Sequence, residues 1–380
     1  MVYSLIIVTP PDHGNIDGVS TFCLFLSEGL AQSGIFSISV VTPSSEIHCQ
    51  TLKEYKYSNK VSYFKCPIPN GDNGIGLYLN ALSDGSPCLI LLNYWPSIFN
   101  IRSIRSHIPE ATIVQIVHDF PWLTIFEGNT EYFFNSYNSD FRDFNEYDKK
   151  FLKYTTYDTL VSFKETDHII CLCRDSFRII NKNYQIPLQK IHLVPNGLAD
   201  KYLDIVDNQD VSNKISDTIK ILFIGRPTIS KGWDRVIDLA IHLKKNNIDA
   251  KIICVGFTGI SNLIPKNLIS YFVETGIIPH DKIDDLYRQA NFVFIPTRHE
   301  QCSYVAIEAM MHGKEIVAFD SFGLRNMLDD ECAYIIDSVC QFPLHSLRKG
   351  EHARKHYMNR FSADSVIMNY TKLLTQIIRS

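Results

Sequence analysis

The sequence predicts an α/β protein of two units, each a parallel sheet covered by helices on both faces. Three observations carry this. Short apolar runs alternate with amphipathic stretches through both halves, the pattern of strands buried on both faces and joined by crossover helices. The chain has 380 residues, and a domain typically holds about 100–200. A polar, charged stretch with little periodicity, residues 201–218, separates the halves and reads as a linker. The expected division is 1–200 for the first unit, 219–355 for the second and 356–380 for a closing helical segment.

Composition narrows the function. Hydrophobic residues make up 45% of the chain, which suits a globular protein with sizeable cores. A net charge of −4 excludes a general nucleic-acid-binding field and leaves room only for a local basic pocket. Ten cysteines form no framework. The closest pair, Cys171-Leu172-Cys173, fits neither a zinc knuckle nor a redox C-x-x-C. The cysteines read as small apolar strand residues in a reducing compartment such as the cytoplasm. No metal site is expected. Residues 1–9 lack the basic region and cleavage site of a signal peptide. No apolar run reaches the roughly 18–20 residues of a membrane span. A soluble, cytoplasmic protein is expected, with peripheral membrane contact left open.

In the first half, residues 4–9 read as a buried strand. A loop containing Gly14 and Gly18 follows, then an amphipathic helix over 19–33 with Phe22, Leu26 and Leu30 on one face. Strand, glycine loop and helix together are the local form of a phosphate site, though a plain βα turn has the same look. Further strands are expected at 37–41, 61–64, 88–92, 112–117 and 167–173, with a helix over 175–183, after which residues 191–194 lead into a Pro-Asn-Gly turn. His118-Asp119 stands at the carboxyl end of the 112–117 strand, where such sheets bind ligands. A His-Asp pair capping the next segment is the alternative. Residues 120–165 form an aromatic-rich insertion. Its Trp122, Phe126, Tyr132, Phe133, Phe134, Tyr137 and Phe141 serve packing or sugar stacking, packing being the commoner use. Pro195-Asn196-Gly197 reads as a turn.

The second half opens with a strand at 219–224, the turn Gly225-Arg226-Pro227-Thr228-Ile229-Ser230-Lys231-Gly232, and a helix over 235–245. Arg226 and Lys231 can both reach a diphosphate, Arg as a bidentate fork and Lys as a point charge. A solvated basic turn is the alternative. Strands at 251–255 and 271–273 follow, then Gly276-Ile277-Ile278-Pro279-His280-Asp281, a candidate for holding a base, and a helix over 284–289. The most informative stretch is 292–319. A strand at 292–295 leads into Pro296-Thr297-Arg298-His299-Glu300-Gln301-Cys302-Ser303. A helix over 303–312 capped by Ser303 comes next, then a strand at 315–319. The helix N-terminus offers N–H groups and a positive dipole end to an anion. Glu300 in the turn and Glu308 in the helix can accept hydrogen bonds from hydroxyls. Anion donors beside hydroxyl acceptors suit a sugar nucleotide. An ordinary crossover with two surface glutamates is the alternative. An amphipathic helix over 363–379 closes the chain, with Val366, Tyr370, Leu373, Leu374 and Ile377 as its apolar stripe.

The Glu300…Glu308 spacing, the Glu308-Ala309-Met310 triplet, Gly313 and the flanking strands resemble the E-x7-E motif of family-4 retaining glycosyltransferases. The Gly225-Arg226…Lys231-Gly232 turn resembles the donor-phosphate motif of the same family. One departure is that Gln301-Cys302-Ser303 stands where members usually carry glycines. The resemblance implies a GT-B architecture, two Rossmann-like domains facing a central cleft, with the last helix crossing back to the first domain. It further implies transfer of a sugar from a nucleoside diphosphate sugar, a UDP-sugar in the expected case, to an acceptor hydroxyl with retention. No metal and no further cofactor are implied. Arg226 and Lys231 would hold the diphosphate and Glu308 the ribose. Glu300 would hold the donor sugar and His118 would contact it. Gly14 and Gly18 would approach the donor through their backbone, as would the turn residues Cys302, Ser303 and Tyr304. The acceptor class is a glycan, glycolipid or glycoprotein, in bacterial glycan synthesis. A sugar-nucleotide epimerase or phosphorylase, or a non-catalytic sugar-nucleotide-binding subunit, are the alternatives.

Overall fold

The computed structural model describes residues 2–10, 18–44, 60–67, 74–83, 88–93, 98–200, 218–344 and 348–379. Gly14 and most of the 201–218 stretch lie outside these residues. The chain forms two compact units. The first comprises Met1–Trp122, Thr130–Leu198 and Ala363–Ser380; the second comprises Leu123–Asn129 and Ala199–Ser362.

The first unit is a seven-stranded sheet made of β1 (Tyr3–Val8), β2 (Phe36–Ser44), β3 (Val61–Pro67), β4 (Leu89–Leu92), β5 (Thr112–Val117), β6 (His168–Cys171) and β7 (Ile191–Leu193), in the order β3-β2-β1-β4-β5-β6-β7. Every pairing is parallel. Parallel strands need crossovers, and helices such as Gly18–Gln32 and Ile98–His107 supply them. Burial follows: β4 reads Leu-Ile-Leu-Leu and all four side chains are buried. Phe22, Leu26 and Leu30 are fully buried on the first helix, as its periodicity predicts.

The second unit is a six-stranded parallel sheet made of β8 (Ile219–Ile224), β9 (Ala250–Val255), β10 (Phe272–Gly276), β11 (Phe292–Ile295), β12 (Glu315–Phe319) and β13 (Tyr334–Ile336), in the order β10-β9-β8-β11-β12-β13. In each sheet the chain runs outward on one side of its first strand and then returns to the other side. The reversals fall between β1 and β4 and between β8 and β11. At such a switch point two loops diverge at the carboxyl ends of adjacent strands and leave a crevice for a ligand.

Several elements differ from the sequence reading. β13 was not predicted, because Tyr334–Ile336 has only three residues and no periodicity to read. β10 begins at Phe272 rather than 271 and runs on to Gly276 with a bulge after Glu274, since Tyr271 closes the preceding 3-10 turn. The 175–183 helix is α over Arg174–Arg178 and then widens into a π turn, Ile179–Asn183.

The aromatic-rich insertion contains two helices, Thr130–Asn138 and Glu146–Glu165, the latter capped by the Asn145 side chain on the Asp148 N–H at 2.9 Å. Its aromatic residues divide between packing and exposure, Tyr147, Phe151, Tyr154 and Tyr157 being exposed along the second helix. Trp122 stacks on Phe133 at 4.0 Å, and Trp122, Phe126, Phe133 and Phe141 are buried, whereas Tyr132 and Tyr137 are exposed. Residues 123–129 group with the second unit. Glu127 pairs with Arg298 at 2.9 Å, and Gly128, at φ +78°, lies so close that a Cβ there would sit 2.6 Å from the Arg298 carbonyl oxygen. The last helix, Ala363–Arg379, belongs to the first unit. Tyr370 meets Phe22 at 5.8 Å, and a Cβ on Gly29 would sit 2.4 Å from Ile367. Residues 356–362 stay with the second unit.

Among the described residues no helix is long and apolar enough to cross a membrane. The nine described cysteines are free thiols, eight of them buried.

Candidate functional site

The candidate site of the second unit lies at the carboxyl ends of β8 and β11. Past β8, Gly225 N–H donates to the Val255 carbonyl at 3.0 Å, and Gly256 N–H donates to the Gly276 carbonyl at 3.0 Å. Glycines therefore follow β8 and β9 and close β10, at φ +155°, +106° and +74°, a backbone region that residues with a side chain rarely adopt. Arg226, the next residue after Gly225, is exposed. The turn Ile229–Lys231 ends at Gly232, with φ +75°, and a Cβ there would lie 2.1 Å from the Pro296 carbonyl oxygen. Only glycine permits that approach.

Around this contact the two loops are laced together. Arg298 N–H and Thr297 Oγ1 both donate to the Ser230 carbonyl, at 2.9 and 3.0 Å. Arg235 donates to the Pro296 carbonyl at 2.8 Å. Arg298 grips Asp234 with two bonds of 2.8 and 2.7 Å, which holds the Asp234 carboxyl below the usual range. The product of this lacing is that Lys231 Nζ donates to Glu300 Oε1 at 2.6 Å, although 69 residues separate them. With Ile224, Ile295, Ser303 and Val305 they line one cleft.

A third turn supports Glu300 from behind. Glu300 N–H donates to the Phe322 carbonyl at 2.9 Å, and His299 bridges Phe322 in parallel. Gly323, at φ +73°, comes so close that a Cβ would stand 1.6 Å from the Glu300 carbonyl oxygen. The departure at Gln301-Cys302-Ser303 is thereby accommodated. These residues are 6%, 7% and 3% exposed and none takes a positive φ, so the glycine requirement falls on Gly323. Ser303, at φ −70° and ψ 117°, caps helix Tyr304–Met311 by accepting the Ala306 N–H, as the sequence predicts. Tyr304 is the half-buried first residue of that helix.

Glu308 is 7% exposed on the same helix. Tyr287 donates its hydroxyl to Glu308 Oε2 at 2.8 Å. Burial, together with the Glu308 charge, pushes the Tyr287 phenol far up, so it stays a donor. Tyr287 stacks on His312 at 4.7 Å, and His312 faces Asp284 at 3.3 Å. The helix therefore presents Glu308 in one orientation set by its neighbours. Tyr287 was missed by sequence reasoning, and a lone Tyr in a polar helix gives no local signal.

The first unit carries its own cluster at the switch point between β1 and β4. His118, just past β5, sets its Nε2 2.7 Å from Asn93 Oδ1, and packs edge-on against Phe22 at 5.2 Å. Asn93 Nδ2 donates to Thr9 Oγ1 at 3.2 Å and to the Val19 carbonyl at 3.3 Å. Asp119 turns to its own backbone neighbour and accepts the Phe120 N–H at 2.8 Å. Gly18 opens the helix Gly18–Gln32 and is exposed. Asn93, a polar residue ending the apolar run 88–92, is the one missed residue that strand-end logic could have flagged.

Among the described residues one group could ligate a metal, Asp329, Cys332 and His356, whose ligand atoms lie within 4.8 Å of one another. Protein partners account for it. Asp329 Oδ1 accepts the Glu331 and Cys332 N–H groups at 3.1 and 3.0 Å, and His356 Nε2 meets the Met327 carbonyl at 2.9 Å. Burial pushes the Cys332 thiol up to about 12.

Residues 204–339 match the family model described as glycosyl transferases group 1, a stretch that contains Arg226, Lys231, Glu300 and Glu308. Among solved structures, sucrose-phosphate synthase from Thermosynechococcus elongatus superposes with a TM-score of 0.73 at 16% identity over 99% of each chain. The Anabaena protein HepE in complex with UDP-glucose superposes with a TM-score of 0.67 at 13% identity, over 98% of this chain and 99% of that one. With two parallel Rossmann-like units, these likenesses define the fold as GT-B. In sequence the chain is 22% identical over 173 residues to alpha-D-kanosaminyltransferase from Streptomyces kanamyceticus, 43% of this chain and 44% of that relative. It is 24% identical over 191 residues to D-inositol 3-phosphate glycosyltransferase from Xylanimonas cellulosilytica, 45% of each. The matched region thus spans less than half the length of these curated relatives.

Proposed function

We propose that this chain is a glycosyltransferase that moves a sugar from a nucleoside diphosphate sugar, a UDP-sugar in the first instance, to an acceptor hydroxyl with retention of configuration and without a metal ion. The observation that carries this reading is the Lys231–Glu300 contact of 2.6 Å at the β8/β11 switch point, inside the stretch that matches glycosyl transferases group 1. It puts a cation for a phosphate and a carboxylate for sugar hydroxyls side by side. The UDP and UDP-glucose held by the structural neighbour HepE support the donor class. A glycan, glycolipid or glycoprotein in bacterial glycan synthesis is the acceptor class.

In the reaction the bond from the sugar's anomeric carbon to the diphosphate oxygen breaks, and a new bond forms on the same face to the acceptor oxygen. The acceptor proton passes to the leaving phosphate. Lys231 and Arg226 stabilise the negative charge that builds on the diphosphate, the electrostatic term that commonly dominates such catalysis. Glu300 holds sugar hydroxyls as the ring gains positive charge. Glu308, held by Tyr287, accepts from the ribose, and the N-terminus of helix Tyr304–Met311 faces the anion. His118 contacts the sugar.

The experiment is a panel of nucleotides and nucleotide sugars screened by thermal shift, followed by nucleoside diphosphate release with acceptor extracts. A true donor at about 100 times its Kd adds roughly 2.7 kcal/mol of stability. Release should need an acceptor and survive excess EDTA. No stabilisation by any nucleotide sugar refutes the reading, and loss of activity on chelation refutes its metal-free part. Sugar phosphate formed with inorganic phosphate would instead favour a phosphorylase.

A further inference from the structure

We propose that Asn93 is a positioning residue that fixes His118 in the tautomer with its proton on Nε2, so that the neutral ring meets any further partner as a hydrogen-bond acceptor through Nδ1. Two carbonyl oxygens that can only accept fix the proton positions. Asn93 is fully buried, 0% exposed, at the end of β4, and its own N–H is tied to the Val8 carbonyl at 2.8 Å. One end of its amide lies 3.3 Å from the Val19 carbonyl oxygen. A carbonyl oxygen only accepts, so that end is the NH2 group. The other end is then Oδ1, which also only accepts, and it faces His118 Nε2 at 2.7 Å. Nε2 must therefore carry hydrogen. Turning the amide over would set two accepting oxygens against each other at the Val19 carbonyl in a buried place, so the Val19 carbonyl fixes the amide and the amide fixes the tautomer. The Thr9 hydroxyl at 3.2 Å adds a second partner on the NH2 side, and Phe22 packed against the ring limits its rotation.

The chemical consequence is a choice of ligand. A neutral His118 held this way accepts from a hydroxyl and gives nothing to a carbonyl or an anion. This last step rests on the glycosyl-transfer reading, in which the partner is a sugar hydroxyl; the tautomer assignment does not.

Two variants separate positioning from mere structural support. Asn93→Ala removes both the acceptor for Nε2–H and the tie to Val19. Asn93→Asp keeps an acceptor for Nε2–H but turns an oxygen toward the Val19 carbonyl. Ring 15N NMR of His118 at alkaline pH reads the tautomer directly. In the wild type Nε2 should appear protonated and Nδ1 unprotonated, with exchange of the Nε2 proton slowed about tenfold relative to Asn93→Ala, the worth of one buried hydrogen bond. Asn93→Ala should move both ring nitrogens toward a tautomer average, and Asn93→Asp should keep Nε2 protonated. An unprotonated Nε2 in the wild type overturns the proposal without any variant being needed. So do ring signals unchanged in Asn93→Ala. With a working donor, kcat should fall about tenfold in Asn93→Ala and recover in part in Asn93→Asp. Wild-type protein that shows the expected tautomer but no turnover would count against the glycosyl-transfer reading and leave the assignment of Asn93 standing.

Discussion

Replacing Gly323 by alanine should disable the site while leaving the protein folded. Gly323 sits at φ +73° and ψ −44°, a sparsely populated conformation outside the left-handed helical region that costs a residue with a Cβ on the order of 1–3 kcal/mol. The larger effect is steric. The new Cβ would lie 1.6 Å from the Glu300 carbonyl oxygen, and real Cβ atoms essentially never come within 3.0 Å, so one side must retreat by about 1.4 Å (3.0 − 1.6). That displacement falls on the backbone of Glu300, whose N–H is tied to Phe322 and whose carboxylate is tied to Lys231. A misplacement of about 1 Å at a reacting centre costs about 100-fold in rate. We therefore expect turnover with a nucleotide sugar to fall about 100-fold, with a stability loss of about 1–3 kcal/mol in urea unfolding. Gly34→Ala is the control. It has φ +69° but nothing within 4 Å of the added Cβ, so it should lose only the backbone part and keep full activity. If Gly323→Ala keeps kcat within about twofold of the wild type, or if the two variants lose activity equally, the turn does not buttress Glu300.

Other outcomes follow from the same site. Arg226→Ala and Lys231→Ala should each weaken nucleoside diphosphate binding by about 1.5–3 kcal/mol in calorimetry, without unfolding the protein. Unchanged affinity in both would remove the phosphate assignment. Glu300→Gln should mainly lower kcat, because its hydrogen bonds strengthen as the sugar gains charge. Glu308→Gln should mainly raise the donor KM, because the ribose does not change during reaction. Steady-state kinetics with the reverse pattern would exchange the two roles. For His312, burial pushes its pKa down to about 4, from about 6.5 in the unfolded chain. The unfolded state then binds the extra proton, so stability falls as pH drops from about 6.5 toward 4 and is flat above that window from this group. The loss is at most about 3 kcal/mol. His312→Phe, which keeps a ring against Tyr287, should flatten the slope between pH 7 and 5 in urea unfolding; an unchanged slope would place the titrating group elsewhere.

The elements and the motif were legible in the sequence because their signals are local. A run such as Phe292–Ile295 shows in four consecutive residues that it is buried on both faces. Ser303 shows as a cap because a helix start is decided within one turn. The spacing of Arg226, Lys231, Glu300 and Glu308 could also be read, together with the chemistry those residue types suit. Strand order could not. It makes β11 a neighbour of β8 rather than of β10, and so brings Lys231 onto Glu300 across 69 residues of chain. The same non-local step sets Phe322 behind Glu300, Tyr287 on Glu308 and Asn93 on His118. It also groups residues 123–129 with the second unit through Glu127 and Gly128. Hydrophobic periodicity states which face of an element is buried but not which element will cover it. Side-chain partners across a crevice therefore emerge only when sheet topology decides which strand ends stand side by side.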